Sequence, residues 1–268
     1  MKQTLFTLLV ILFSKSLDAQ AFNFQDFDNH VETAEYLCAY DKIAWWTSDV
    51  VVTEDKEELA KLNRIWFCLP FEDSWRAYYG YQEGGDFIPV FQYEVDSSNQ
   101  VKRIFEPRDS VLLNPLSRAL SNAFEQMESS NPPTALRFNQ YIRKTEKDEI
   151  EVWILPAFQP SSTAVFGGEY YYKYDSSGSE LLTKEIYLQD EYRGFKVDEP
   201  REIWLDYTDI DEPTIGAVFF VMYYKNYFTS INLETSKSIS TLVSGDGTYN
   251  WVHILKETKK KRKKKRKG

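Results

Sequence analysis

Short runs of aromatic and β-branched residues, separated by turn-forming residues, constrain the fold of this chain most strongly. In the first half, such runs cover residues 75–81, 87–95 and 100–105. The intervening sequences are Glu83-Gly84-Gly85-Asp86 and Asp96-Ser97-Ser98-Asn99. This pattern predicts an antiparallel meander. Pro89 lies inside the second run and predicts an edge strand or a bulged strand there, because proline cannot donate a ladder hydrogen bond.

The second half of the chain carries the same pattern more densely. Further strands are predicted over residues 149–155, 163–166, 169–174, 180–188, 201–207, 214–224, 227–233 and 238–243. Residues 249–255 form a last short element of either type. The longest apolar run, 215–224 (IGAVFFVMYY), is predicted to be a buried strand.

Three segments show helical features. Apolar residues recur at spacings of three, four and seven over residues 31–46, which predicts a helix that follows an Asn29 cap. Thr53 is predicted to cap a second, short helix. Asn114-Pro115 is predicted to open a third helix that ends near Glu128.

These elements predict an α+β fold of antiparallel β-meanders with a few packed helices, mostly β in the C-terminal half. The predicted organisation is a cleaved signal peptide over 1–20, an N-terminal α+β lobe over 21–130 and a β-rich C-terminal lobe over 131–258. The two lobes form either separate units, hinged at 129–133, or one continuous domain. Residues 259–268 are predicted to be a disordered polybasic tail.

The N-terminus has the organisation of a secretory signal. Lys2 supplies a positive charge, residues 5–13 are almost all apolar, and Ala19-Gln20-Ala21 fits the small-x-small cleavage pattern. The apolar run is too short to span a bilayer as a helix. We therefore expect export to a periplasm or to the extracellular space. The absence of any Asn-x-Ser/Thr sequon favours a bacterial source.

The net charge of −9 averages over two regions of opposite sign. Without its basic end the chain has a net charge of −18, and such an acidic body repels nucleic acid. The basic end is predicted either to contact polyanions, such as an anionic envelope surface, or to remain a solubilising end that contacts the acidic body. Its nine basic residues are Lys259, Lys260, Lys261, Arg262, Lys263, Lys264, Lys265, Arg266 and Lys267.

Several common chemistries lack their sequence motifs. The only histidines are His30 and His253, and neither a Gly-x-Ser-x-Gly elbow nor a Ser-x-x-Lys arrangement occurs. There is no clustered Cys/His zinc motif and no phosphate-binding glycine loop. No catalytic residue, metal site or cofactor is therefore predicted.

The two cysteines, Cys38 and Cys68, admit two interpretations. In an oxidising compartment an even pair suggests a disulfide, which would stabilise the fold by roughly 3–4 kcal/mol in the chain-entropy model. Alternatively, both are buried free thiols that act as small hydrophobic side chains.

Carboxylates are abundant, so a pair of them is weak evidence for a site. The densest group, Asp206, Asp209, Asp211 and Glu212, lacks the calcium-loop pattern and is interpreted as an acidic, solvated loop. Glu169 with Asp206 is a hypothetical acid pair for glycan hydrolysis, a chemistry that requires one carboxyl with a raised pKa.

Aromatic residues are the one marked excess, with 7 Trp, 18 Tyr and 18 Phe. Strand alternation places Tyr170, Tyr172 and Tyr174 on one sheet face. These tyrosines, with Trp45 and Trp46, are either structural packing or a surface that stacks on a ligand.

The sequence thus favours an exported, non-enzymatic protein that binds a protein or glycan partner through an aromatic-rich surface. A carboxylate-dependent glycan hydrolase and an envelope-associated structural protein are the alternatives. Aromatic rings around a concave pocket with two carboxylates would favour the hydrolase, whereas an exposed aromatic patch would favour binding.

Overall fold

The computed structural model describes residues 22–130 and 135–257. The predicted signal peptide, part of the predicted hinge and the polybasic end lie outside the described residues. Within them there are four helices and 14 strands. The helices are α1 (Phe24–Val51), α2 (Lys56–Leu59), α3 (Ser110–Ser130) and α4 (Ile215–Tyr224).

The first two sheets are antiparallel and four-stranded. One has the order β1-β2-β3-β4, from β1 (Trp66–Phe71), β2 (Ser74–Glu83), β3 (Asp86–Val95) and β4 (Val101–Arg103). The other has the order β5-β6-β8-β9, from β5 (Phe138–Lys144), β6 (Ile150–Pro156), β8 (Glu169–Tyr174) and β9 (Leu181–Tyr187).

The remaining strands form a two-stranded pair and a mixed sheet. The pair joins β7 (Thr163–Phe166) to β10 (Arg193–Lys196). The mixed sheet has the order β11-β12-β13-β14, from β11 (Glu202–Tyr207), β12 (Ser230–Thr235), β13 (Ser238–Gly245) and β14 (Thr248–Leu255). The α+β prediction with mainly antiparallel sheets is therefore confirmed.

The predicted antiparallel meander is confirmed. The strand that contains Pro89 is a bulged strand rather than an edge strand. β3 pairs with both β2 and β4, so it is a central strand. The register between β2 and β3 shifts between Tyr79 and Gly80, opposite Pro89. A Cβ at Gly80 would overlap the Ile88 carbonyl oxygen, so the two backbones approach closely at this bulge.

Helix α1 is longer than its predicted range. It begins after Asn23, whose side chain accepts a hydrogen bond from the Asp26 backbone N–H, and not after Asn29. Ala34, Leu37 and Tyr40 on its inner face are fully buried. The short helix α2 is capped by Asp55 rather than Thr53, because the Asp55 carboxylate accepts from two backbone N–H groups.

Helix α3 begins five residues before the predicted start, so Pro115 lies inside it. Asp109 accepts a hydrogen bond from the Leu112 backbone N–H at the start of the helix. Asn114 instead joins the helix to β3, because its Oδ1 accepts from the Phe87 backbone N–H at 2.9 Å. Its Nδ2 donates to Asp86 at 2.6 Å.

The predicted strand over residues 215–224 is wrong, because this segment is helix α4. It connects β11 to β12, which pair in parallel, and a parallel pair requires a crossover connection. Thr214 caps it by accepting from the Ala217 backbone N–H at 3.0 Å. The helix is apolar on all sides because it is buried on nearly all sides.

The β5-β6-β8-β9 sheet lies between helices on both faces. Tyr172 and Tyr174 face α3, whereas Tyr141 and Trp153 lie on the opposite face, with α1 and α4. α1 also packs directly on α4, so the two predicted lobes are joined by helix contacts. Among residues 22–130 and 135–257, no helix is long and apolar enough to cross a bilayer.

Candidate functional site

An open groove lies where α1, the C-terminal end of α4 and the segment after β6 meet. We call it the aromatic groove and define it by Trp45, Trp46, Phe158, Tyr223, Tyr224 and Tyr227. It consists of two adjoining cavities of about 590 and 270 Å³. Trp45, Phe158, Tyr223 and Tyr224 line both cavities, so they form one continuous wall.

Trp45 is the most exposed tryptophan of the groove. It lies in helix α1 and is 59% exposed. Its indole makes no hydrogen bond or ring contact with any other described residue. An indole that is held on a helix and left without a partner offers a flat apolar face to a ligand.

Two other aromatic rings of the groove lie next to the ring of Tyr224. The Tyr224 ring centroid lies 6.3 Å from that of Phe158 and 6.2 Å from that of Tyr227. Phe158 and Tyr227 are 40% and 48% exposed. On the α1 side, the Lys42 ammonium lies 4.5 Å from the Trp46 ring centroid, a cation–π contact.

A buried carboxylate forms the inner end of the groove. Asp41 is 6% exposed, and its Oδ1 accepts from Asn139 Nδ2 at 3.0 Å and from the Tyr141 hydroxyl at 2.8 Å. These bonds join α1 to β5. Burial and the nearby Asp41 raise the pKa of Tyr223 above its ordinary value, so its phenol stays a hydrogen-bond donor.

The predicted ligand-binding residues separate into two groups. Trp45 and Trp46 line the aromatic groove. Tyr170, Tyr172 and Tyr174 are at most 1% exposed, so their predicted contact with a ligand is corrected to core packing. The tyrosines are buried because α3 covers the sheet face that carries them.

The two cysteines are free thiols, so the disulfide interpretation is corrected. Cys68 is fully buried in β1, and Cys38 is half-buried on α1, where it lines the groove. Burial raises the pKa of Cys38 to about 12 and that of Cys68 well above its ordinary value. Both thiols are therefore protonated at neutral pH and are weak nucleophiles.

Glu169 is buried at the N-terminus of α4. Its carboxylate accepts hydrogen bonds from the Tyr207 hydroxyl, the Thr214 hydroxyl and the Gly216 backbone N–H. Gly216 has no room for a Cβ, because the Glu169 side chain occupies that space. Burial nevertheless outweighs these bonds and raises the pKa of Glu169 to about 7.

Asp206 does not join Glu169 in one site, since the two line different cavities. Asp206 is exposed, and hydrogen bonds from Thr208 lower its pKa. In the same acidic segment, Asp211 pairs with Lys237 at 3.0 Å. Within the described ranges, no group of three or more His, Cys, Asp or Glu side chains is arranged to hold a metal ion.

No protein family, curated protein or solved structure matches this chain in the comparisons with known proteins. A function is therefore inferred from the geometry of the groove. That geometry adds Phe158, Tyr223 and Tyr227 to the tryptophans predicted from the sequence. The adjacent Tyr223-Tyr224 pair and Tyr227 would have indicated a ring cluster only if residues 215–224 had been predicted as a helix.

Proposed function

We propose that this protein is an exported, non-enzymatic binding protein that holds a glycan in the aromatic groove. The observation that carries the proposal is Trp45, an exposed indole without a bonding partner among the described residues, in a groove with further exposed rings. Sugar rings present C–H groups on their faces, and these pack well on flat aromatic surfaces.

The polar side chains of the groove support a glycan over a purely apolar ligand. Asp49 and Ser48 lie beside Trp45 on α1, and Lys42 lies beside Trp46. Carboxylates and hydroxyls accept hydrogen bonds, and an ammonium donates them, so a sugar hydroxyl can meet either type of group. Most ligand pockets combine apolar walls with a few polar groups in this way.

The hydrolase alternative has one observation in its favour, the raised pKa of Glu169. However, Tyr207 and the N-terminus of α4 bind the oxygens of this carboxylate. A general acid must instead direct its proton to the bond that is cleaved. We therefore favour binding over hydrolysis.

Two further parts of the proposal, export and contact with a charged surface, are supported by the sequence alone. Residues 1–20 support export, and the basic residues 259–267 support contact with an anionic envelope surface. Both segments lie outside the described residues.

Replacement of Trp45 is expected to abolish or strongly weaken glycan binding. Isothermal titration with cellohexaose, xylohexaose, maltohexaose and chitohexaose should detect binding of at least one of them to the mature protein. Trp45→Ala should reduce that affinity by about tenfold or more, because an exposed Trp at the centre of a site commonly supplies a large share of the binding energy.

Trp204→Ala is the matched control, because Trp204 is also exposed, at 44%, but lies on β11 outside the groove. It should leave the affinity unchanged. Equal losses for the two variants, or no binding of any of the four oligosaccharides, would contradict the proposal. Release of new reducing ends during incubation would favour the hydrolase instead.

A further inference from the structure

Strand β14 lies at one end of the mixed sheet, and its outer edge is free. Within the described part of the chain, the backbone of β14 forms hydrogen bonds only with β13. The strand is eight residues long, and six of these residues are exposed. A free edge of this length offers a row of backbone donors and acceptors to another strand.

The edge strands of the three four-stranded sheets differ in their protection against pairing. Charged side chains and proline on an edge strand discourage the addition of a further strand. Within the described ranges, every edge strand of these sheets except β14 carries such a residue. Examples are Pro70 in β1, Lys102 in β4, Arg143 in β5, Lys184 in β9 and Asp206 in β11. Because β14 (TYNWVHIL) has no Asp, Glu, Lys, Arg or Pro, it is the edge most open to pairing.

The register with β13 determines which backbone groups of β14 point outward. The two strands pair in one continuous register, and Lys256 extends it by donating its backbone N–H to the Lys237 carbonyl oxygen at 2.7 Å. Bonded and non-bonded pairs alternate in an antiparallel ladder, so the even-numbered residues of β14 bond to β13. The odd-numbered residues direct their N–H and C=O groups to the free edge, and they are Tyr249, Trp251, His253 and Leu255.

The outer face of β14 is apolar next to this edge. Val252 is 47% exposed and Ile254 is 62% exposed. Strand alternation places both of them opposite Trp251 and His253, whose rings pack on Phe27. A strand added at the free edge would therefore also cover apolar side chains that now face water.

A second copy of β14 is complementary to this edge in one register. A two-fold axis perpendicular to the sheet makes the two strands antiparallel and keeps the matching sheet faces together. When the axis passes through Val252, Trp251 lies opposite His253 of the second copy, and Tyr249 lies opposite Leu255 of the second copy. All the outward N–H and C=O groups of both copies are then paired. A shift by two residues in either direction leaves one outward residue of each copy without a strand residue opposite it.

The sequence also favours a second copy over other parts of this chain as the occupant of the edge. Residues 259–267 follow β14 closely, but nine consecutive basic residues form a poor strand. Residues 1–20 have the features of a signal that is removed on export. Two copies of β14, in contrast, pair without bringing like charges opposite each other.

We propose that β14 is a dimerisation edge, at which two copies of this chain pair antiparallel about Val252 and join their mixed sheets into one continuous sheet. Backbone hydrogen bonds supply the pairing, and Val252 and Ile254 of both copies form a shared apolar strip. The inference does not depend on the aromatic groove or on a glycan, so either proposal can fail without the other.

Cysteine cross-linking tests the proposed register. The two Val252 Cα atoms should face each other in a non-bonded pair at about 4.5 Å, which is within the range of a disulfide. Mild oxidation of the mature Val252→Cys variant should therefore give a covalent dimer on non-reducing gels. Asn250→Cys is the matched control, because Asn250 is exposed on the same face of the same strand. Its two thiols should lie about 13 Å apart along the strands, so this variant should stay at the wild-type background.

Sedimentation equilibrium tests the dimer without a cross-link. The mature wild-type protein should form a reversible dimer below a concentration of about 100 µM. Val252→Lys should weaken dimerisation by about tenfold or more, because it places two ammonium groups opposite each other. Val243→Lys is the control, because Val243 is 41% exposed on the same face but lies on β13, away from the edge. It should leave the dimer constant within about twofold.

The replaced side chains are all exposed, so each variant should keep the wild-type circular dichroism spectrum. A wild-type protein that stays monomeric would overturn the inference and leave the edge to a different occupant. Equal cross-linking of Val252→Cys and Asn250→Cys would overturn the register. Equal dimer constants for Val252→Lys and Val243→Lys would overturn the assignment of the interface to β14.

Discussion

Replacement of Glu169 by Gln is expected to remove a large part of the pH dependence of stability. Relative to Glu169→Gln, the wild-type free energy of unfolding should fall by about 3 kcal/mol between about pH 4 and about pH 8. The cause is burial, which raises the pKa of Glu169 to about 7 from an ordinary value of 4.5.

The direction of this pH dependence follows from which state, folded or unfolded, binds the Glu169 proton more tightly. Below the unfolded-state pKa the carboxyl is protonated in both states, so the favourable contribution is fully present. Between about 4.5 and about 7 the unfolded state has lost its proton while the folded state keeps it, and stability falls as pH rises. Above the folded-state pKa, the folded protein holds a buried carboxylate and the contribution is lost.

Urea titrations of both proteins at several pH values measure this difference directly. Glu169→Gln cannot reproduce every hydrogen bond to Tyr207, Thr214 and Gly216, but that defect is the same at each pH. Parallel pH profiles for wild type and variant would show that the pKa of Glu169 is not raised.

The second large effect is expected at Asp41. Asp41→Ala should lower the free energy of unfolding by about 3 kcal/mol, because it leaves the buried Tyr141 hydroxyl and the half-buried Asn139 amide without their acceptor. It should also weaken glycan binding, since these bonds fix α1, which carries Trp45, against β5.

Asp49→Ala is the matched control, because Asp49 is an exposed carboxylate on the same helix. Its effect on stability should stay within about 0.5 kcal/mol. Thermal or urea unfolding of the two variants measures the contrast. Similar stabilities for Asp41→Ala and Asp49→Ala would contradict the role given to the buried hydrogen bonds.

Local sequence signals predicted most of the strands. They failed where tertiary packing determines whether a buried segment forms a helix or a strand. The turn residues around β2, β3 and β8 were sufficient to locate those strands. The sequence of α4 is apolar at nearly every position, so it has no period that distinguishes a buried helix from a buried strand. Its Thr214 cap was the one available helix signal.

Three strands were missed for related reasons. β1 contains Pro70, and β10 is only four residues long. β5 (FNQYIRK) mixes polar and apolar residues because Gln140 is buried and donates to the Arg64 and Trp66 carbonyl oxygens. Such tertiary hydrogen bonds are not visible in a local pattern.

The candidate sites were predicted only in part. Trp45 and Trp46 were recognised as adjacent aromatics, but Phe158 and Tyr223 are more than 100 residues away along the chain. Which rings meet at the surface depends on how α1 packs on α4. For the same reason, alternation placed Tyr170, Tyr172 and Tyr174 on one face but could not show that α3 covers that face.

The most direct test of the groove is an NMR titration that follows the indole Nε1–H signals of the seven tryptophans, assigned by single Trp→Phe variants. The titrant is the oligosaccharide that binds most tightly in the calorimetric panel. We expect the Trp45 signal to shift most, with Trp46 next, and Trp153 and Trp204 to stay in place. A saturating titration that leaves Trp45 unshifted would contradict the assignment of the aromatic groove as the glycan site.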